Sequence, residues 1–404
     1  MRPKTNRPAT VVLIALSASI PLAAQYPHAA EPIGTVRQMY NGALTPDLAV
    51  NTFRNIDRLF PTRLIAASAK PLRLPPARTE LTEAKIYDRG RTYTLDEFID
   101  YNRVAGLLVL KDGRVAMETF RFGNTERTRW MSMSIAKSIT STLFGAAVQQ
   151  GLIRLTDSVT HYVPSLVGSA YDGVTVRDIL MMSSGVRWNE TYTDSSSDRR
   201  HLLEAQISQK PGAAMEVMKK LSRAAPVGTV NNYSTGETQV AAEVLRSALG
   251  DRSLASYLQE RIWNRVGMEA DANWWLDSPD GHEIGGSGFS ATLRDYGRFG
   301  QFLLSDGVIG GDSILPAGWL AEATTPKTLK GGKPLAYGYF WWTPSDGQLL
   351  RDHAYAGEGI FGQYLFVDPA QRVVIVIWSA QTKPGGGQVV NEWAFFEAVV
   401  TSLR

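Results

Sequence analysis

The chain has 404 residues, 44% hydrophobic and 20% charged, which excludes a disordered polypeptide and leaves room for one large domain or two smaller ones. It has no cysteine, so disulfides, a thiol nucleophile, thiolate metal sites and a lipidated cysteine behind a leader are excluded. Lys and Arg total 42 against 39 Asp and Glu; three of the basic residues (Arg2, Lys4, Arg7) stand at the extreme N-terminus, and the remainder balances at 39 against 39. No basic stripe with interleaved aromatics is present, so nucleic acid is not an expected partner.

Arg2, Lys4 and Arg7 precede the uncharged apolar run "ATVVLIALSASIPLAA", which ends in small residues. A basic start, a short apolar core and a small-residue exit describe a secretory signal peptide over 1–24, with cleavage after Ala24 or as late as Ala30. A membrane anchor would need about 20 apolar residues. The expectation is a periplasmic or secreted protein with no membrane insertion once the leader is removed. Residues 25–95, rich in proline and arginine ("PTRLIAASAKPLRLPPAR"), read as an arm or linker around a main body at 96–404.

"AGLLVLKDGRVAMETF" (105–120) predicts two strands joined at Asp112-Gly113. "SITSTLFGAAVQQGLI" carries apolar residues at helical spacing and Gly151 where a helix should stop. "TVRDILMMSSG" predicts a short helix with Thr175 as N-cap, and "TQVAAEVLRSALG" and "LRDYGRFGQFLLSDG" continue in that style. "QYLFVDPAQRVVIVIW" (363–378) predicts a second strand pair turning near Asp368-Pro369. Strands early and late with helices between predict an α+β fold. An antiparallel sheet would be built from both chain ends and flanked by helices, with a helical subdomain inserted at about 140–285.

Four stretches could carry chemistry. In "RWMSMSIAKSIT", Ser134 and Lys137 lie three apart at a helix start and so share a face; a partly desolvated lysine can activate a serine hydroxyl, and the Ser134 N–H is a free helix-terminal donor. In "NNYSTGETQ", Tyr233 stands in a polar loop ahead of a helix, where a nearby lysine ammonium would lower its pKa and let it relay protons. "YAGEGIFGQYLFVDP" places Gly357, Gly359 and Gly362 ahead of a strand, suggesting close backbone approach to a ligand. "SSGVRWNETYTD" offers Glu190 and Tyr192 after Gly185. Each alone is also consistent with ordinary structure: a helix serine with a surface lysine, a hydrogen-bonded tyrosine, a bulged strand, a loop. The pairs Trp274-Trp275 and Trp341-Trp342 could line a cleft or fill the core. Five scattered histidines (His28, His161, His201, His282, His353) form no metal motif, and no G-x-S-x-G elbow, Walker or Rossmann glycine pattern occurs, so neither metal nor organic cofactor is expected.

Together, Ser-x-x-Lys opening a helix, then "TVRDILMMSSG", then Tyr-Ser-x, then a glycine-rich strand resemble the serine β-lactamase and penicillin-binding-protein superfamily. The likeness is to its class C-like branch, with esterases, D-amino-acid peptidases and 6-aminohexanoate-dimer hydrolases, and covers roughly residues 100–400, including "LTDSVTHYVPSL", "GGSGFSATLRDYGRFG" and "YGYFWW". The resemblance implies the β-lactamase/transpeptidase-like fold, Ser134 as acylated nucleophile, Lys137 as its partner and Tyr233 as proton-relaying base. It implies an oxyanion hole from the N–H groups of Ser134 and Ile360, and substrate contacts from Tyr192, Glu190 and Gly359. Two departures stand out. The tyrosine motif reads Tyr233-Ser234-Thr235 in place of Tyr-x-Asn, and no Lys-Thr-Gly occurs on the late strand; "KTL" at Lys327 is out of place. With no cation in "GEGI" and Glu358 set to repel a carboxylate, a small ester or a neutral or amine-bearing short amide is the expected substrate. A β-lactamase or D-Ala-D-Ala carboxypeptidase, or a non-catalytic binding protein of the same fold, remain the alternatives.

Overall fold

The computed structural model describes residues 26–250, 252–332 and 334–404; the expected leader lies outside them. The proline-rich stretch that follows is more than an extended arm. Thr35 and Thr45 cap two short helices, α1 (Val36–Tyr40) and α2 (Pro46–Phe53), each side-chain oxygen accepting from a first-turn N–H. Both are anchored in the core through Met39, Tyr40 and Phe53. Strand β1 (Thr62–Ile65) follows, and Thr94 with Glu97 forms a capping box on α3 (Leu95–Tyr101). Elements of four to eight residues are too short to announce themselves by periodicity.

The expected hairpin is β2 (Val104–Lys111) and β3 (Arg114–Phe120). Asp112 and Gly113 both take positive φ, +51° and +75°, the backbone that lets a two-residue turn follow the twist of its strands. After β4 (Arg129–Met131) comes α4 (Ile135–Gln149), of which 13 residues are buried, so it has no solvent face and forms the central helix. Three of its hydroxyls are satisfied, Ser138, Thr140 and Thr142 donating to the carbonyls of Phe340, Gly285 and Ser138 at 2.8, 2.8 and 2.9 Å, while the buried Ser141 hydroxyl has no partner. Next come α5 (Val176–Leu180), capped by Thr175 as expected, α6 (Asp198–Ile207) and α7 (Thr235–Leu249). The first two pack on α7, and α7 packs on α4.

The chain then adds β5 (Ala272–Trp275), β6 (Phe289–Thr292), α8 (Leu293–Leu304), β7 (Tyr355–Gly359), β8 (Gln363–Asp368), β9 (Val373–Ser379) and α9 (Glu392–Ser402). The main sheet is antiparallel in the order β7-β8-β9-β2-β3, so early and late strands join at the β9–β2 pair, as the pattern predicts. All seven residues of β9 are buried. Its side chains alternate: Val373, Ile375 and Ile377 face α3 and α9, where Phe98 stacks on Phe395 at 3.9 Å; Val374, Val376 and Trp378 face the larger core with α8. Each such buried aliphatic side chain contributes about 1.5–3 kcal/mol. A second antiparallel sheet, β1-β5-β6-β4, carries the chain into the site. No helix among the described residues is long and apolar enough to cross a membrane.

Candidate active site

The second sheet fixes where Ser134 stands. Beyond β4, the Ser132 N–H donates to the Phe289 carbonyl of β6 at 2.7 Å. Met133 then takes a φ of +41°, a left-handed conformation uncommon for a non-glycine residue, and the turn delivers Ser134 to the N-cap of α4. The Ser134 side chain does not cap the helix. Instead Lys137, one turn on and 1% exposed, donates from Nζ to Ser134 Oγ at 2.9 Å and to the Gly286 carbonyl at 2.9 Å. Burial lowers the Lys137 pKa from 10.5 to about 7; the Glu190 carboxylate opposes that fall and the Arg199 guanidinium adds to it. Near neutral pH a large share of this lysine is therefore the free amine, held against a hydroxyl.

Tyr233 lies beside the pair, its ring centroid 5.4 Å from Lys137 Nζ. Trp342 stacks on it at 5.3 Å and Tyr337 meets it edge-on at 6.1 Å. The expectation that a lysine ammonium lowers its pKa is corrected. Burial, reinforced by the Glu190 charge, raises it well above 10, and the nearby Ser134 hydroxyl only partly offsets that. The phenol keeps its proton, so Lys137 is the member of the pair that titrates.

Glu190 is also corrected. Its carboxylate is turned to the protein: Oε2 accepts from the Thr235 N–H at 2.9 Å and from the Trp188 indole, and Oε1 accepts from the Thr235 hydroxyl. Thr235 is the first residue of α7, so Glu190 ties down the start of the helix that follows Tyr233. Tyr192 is half-buried near Tyr40, ring centroids 6.3 Å apart, and burial raises its pKa far above 10. Sequence reading missed Arg199. It is 1% exposed, donates to the Tyr40 hydroxyl and lies 4.0 Å from Glu190. An arginine opening a mixed polar helix gives no signal of its own.

Strand β7 runs beside the first turn of α4. A Cβ on Gly357 would fall 2.8 Å from Ser138 Oγ, and one on Gly359 would fall 2.8 Å from the Ser132 carbonyl and 2.3 Å from Gln363 Oε1. The close approach expected of these glycines is to the serine-bearing turn itself. Gly359 thus brings Ile360 alongside that turn, and among the described residues neither the Ile360 nor the Ser134 N–H donates to a protein acceptor. Glu358 points the other way, where Trp393 donates its indole N–H to it at 2.9 Å, and burial lifts its pKa to about 7. Its charge is therefore held across the strand from Ser134 and partly neutralised.

A hydroxyl, a poised amine, a protonated phenol and two free N–H groups converge on one turn, and comparison with known proteins agrees in kind. The family model described as Beta-lactamase matches residues 95–399. The chain belongs to this family. It is 28% identical to the 6-aminohexanoate-dimer hydrolase of Paenarthrobacter ureafaciens over 348 residues, 82% of this chain and 85% of that one. Among solved structures, one from Bacillus anthracis provisionally assigned as a 6-aminohexanoate-dimer hydrolase superposes with a TM-score of 0.76 at 22% identity, covering 87% of this chain and 92% of that one. A class C β-lactamase superposes with a TM-score of 0.58 at 17% identity, covering 77% and 94%. This protein is a serine hydrolase of the β-lactamase superfamily with the β-lactamase/transpeptidase-like fold.

The departures from the family's motifs now have a physical content. Thr235, the third residue of the Tyr233 motif, spends both its N–H and its hydroxyl on Glu190. Lys327 donates to the Glu322 carbonyl and lies over the Tyr339 ring, away from β7. Of the tryptophans left open between cleft and core, Trp274, Trp275 and Trp341 are core; Trp342, half-buried against Tyr233, is the one at the site.

Proposed function

We propose that this serine hydrolase cleaves small esters or short amides, of which 6-aminohexanoate oligomers are the model, through an acyl-enzyme on Ser134. The observation that carries the reading is the buried Lys137–Ser134 hydrogen bond with the amine poised near pH 7. Ser134 Oγ attacks the carbonyl carbon as its proton passes to the Lys137 amine. The carbonyl oxygen becomes an oxyanion facing the N–H groups of Ser134 and Ile360. Collapse breaks the bond to the leaving group, which takes a proton from the Tyr233 phenol, and Lys137 returns its proton to Tyr233. Water repeats the cycle on the acyl ester and releases the acid. Tyr192 assists when the leaving group is an amine. Glu190 acts at one remove, by holding Thr235 and with it the Tyr233 loop.

The absence of a Lys-Thr-Gly cation on β7 and the seat of Lys327 elsewhere favour this substrate class over a β-lactam, whose carboxylate needs a positive partner. The test is turnover of a short-chain nitrophenyl ester, the linear 6-aminohexanoate dimer and nitrocefin by the chain and by Ser134→Ala. Ester or dimer cleavage that dies with the serine supports the reading; nitrocefin cleavage alone overturns the substrate choice, and no turnover favours a binding protein.

We further propose export, with the leader cut after Ala24 in preference to Ala30. Tyr26 donates to the Arg54 carbonyl at 2.8 Å, and His28, 7% exposed, bonds Thr128 at 3.0 Å. A cut after Ala30 would remove both anchors; N-terminal sequencing of the exported protein distinguishes the two.

A further inference from the structure

Arg199 has no part in the steps above, yet it is a buried charge beside the site, the second residue of α6 and 1% exposed. Contacts from three sides fix it. Its backbone N–H donates to the Asn189 carbonyl at 3.0 Å. Its guanidinium lies over the Tyr40 ring at 4.5 Å and donates to the Tyr40 hydroxyl, and Nε stands 4.0 Å from Glu190 Oε1. The neighbouring Arg200 grips the same end of α1, donating to Asn41 Oδ1 at 2.8 Å. The segment expected to be an arm thus builds the seat of a charge.

For structure alone that seat is costly. A guanidinium out of water is unfavourable unless a carboxylate and a full set of hydrogen bonds compensate it. Here Nη1 is buried with no partner among the described residues. Glu190, the one carboxylate within 4.0 Å among them, already accepts from Thr235 and Trp188. A neutral side chain would fill the space between Tyr40 and Glu190 at less cost, so what the position gains is the charge.

The charge has a target. Two charges of opposite sign act on Lys137: Glu190 favours its ammonium and Arg199 disfavours it. The other titratable groups on the surrounding elements are neutral or turned away near pH 7. Tyr192, Tyr233 and Tyr337 keep their protons, burial raises Glu237 to about 8, and Glu358 faces Trp393 across β7. Gly286 offers only its carbonyl. Without Arg199, the Glu190 carboxylate would act on the lysine unopposed.

We propose that Arg199 is a positioning residue: held by Tyr40, it offsets Glu190 at Lys137 and keeps the amine beside Ser134 ready to accept a proton. This rests on the acyl-enzyme reading above.

The test follows kcat/KM for a short-chain nitrophenyl ester against pH. Arg199→Met and Arg199→Gln remove the charge; Arg199→Lys keeps it. Both neutral variants should move the acid limb up by roughly 0.5–1 pH unit, lowering the rate about three- to tenfold at pH 6 and far less above pH 9. Arg199→Lys should hold the limb in place, and adding Glu190→Gln to Arg199→Met should bring it back. A loss of rate that is equal at every pH, with the limb unmoved, would mean that Arg199 serves only the fold and overturns the proposal, as does a limb that moves down. A second readout does not need turnover. With 13C at lysine Cε, NMR follows the Lys137 amine directly, its resonance identified by its absence in Lys137→Met. A titration midpoint raised in both neutral variants and kept in Arg199→Lys supports the role of the charge even where no ester is cleaved, an outcome that would count against the hydrolase reading instead. A midpoint that stays put refutes it.

Discussion

Lys137 gives the most demanding prediction because its environment sets both the rate and the stability. Its pKa moves from 10.5 to about 7 on folding, with desolvation as the largest cause. Between those values the unfolded chain holds a proton that the folded chain has released, so stability rises with pH across the window; below about 7 both states are protonated and the full penalty stands. At roughly 1.4 kcal/mol per pH unit, the window holds at most about 5 kcal/mol. Lys137→Met removes the titration. Its stability advantage over the unaltered chain should shrink by about 3 kcal/mol between pH 7 and pH 9.5, measured by urea unfolding at several pH values. Glu237, Glu358 and Glu392, whose carboxyls burial pushes up, titrate in both proteins and cancel in the difference. In the unaltered chain, kcat/KM for a nitrophenyl ester should fall on the acid side of about pH 7, where the amine is lost. A difference in stability that stays flat with pH, together with a rate undiminished at pH 5.5, would refute the reasoning.

The remaining predictions concern the frame around that pair. Gly359→Ala drives a methyl against the Ser132 carbonyl and Gln363, shifting the Ile360 N–H, and should lower kcat by about 10²–10³-fold with a smaller change in KM; an unchanged kcat would remove Ile360 from the oxyanion site. Glu190→Gln keeps one acceptor for Thr235 but loses its charge. We expect kcat to fall about tenfold and the acid limb to move to lower pH, since the carboxylate holds the Lys137 pKa up; a limb that moves upward contradicts the assignment. Glu237 is buried with its pKa raised from 4.5 to about 8, accepts from Ser184 and leaves Oε2 without a partner. A raised carboxyl contributes stability below about 4.5 that is lost as pH climbs through 8. Glu237→Gln, which mimics the neutral acid, should therefore gain roughly 3–4 kcal/mol on the unaltered chain between pH 5 and pH 8, read from urea midpoints.

The sheet was legible because its strands announce themselves locally: the Asp112-Gly113 turn and the β-branched run of β9 leave little else for those segments to be. The Ser134, Lys137, Tyr233 and Ile360 positions were legible from a resemblance in the order of short motifs, and the structure brings the first three together and lays the turn before Ile360 against the serine. What sequence spacing does not carry is direction and dielectric. Nothing in "NET" says that the Glu190 carboxylate folds back onto Thr235, and nothing in "GEG" says that Glu358 faces Trp393, because a strand's alternation has no phase until its neighbours are known. The sign of the Tyr233 shift was misjudged for the same reason: burial of the phenol itself, reinforced by the Glu190 charge, outweighs a neighbouring lysine that burial leaves only partly charged near pH 7. Helices α1, α2 and α6 escaped because short capped helices owe their existence to tertiary packing.

The most direct test of the account is the site of covalent capture. The chain and its Ser134→Ala variant are treated with a fluorophosphonate and with a slowly hydrolysed nitrophenyl ester, then digested and mapped by mass spectrometry. We predict one adduct of the expected mass on the peptide containing Ser134, absent from the alanine variant and slowed in Lys137→Met. An adduct on another serine, or one that persists in Ser134→Ala, would contradict it.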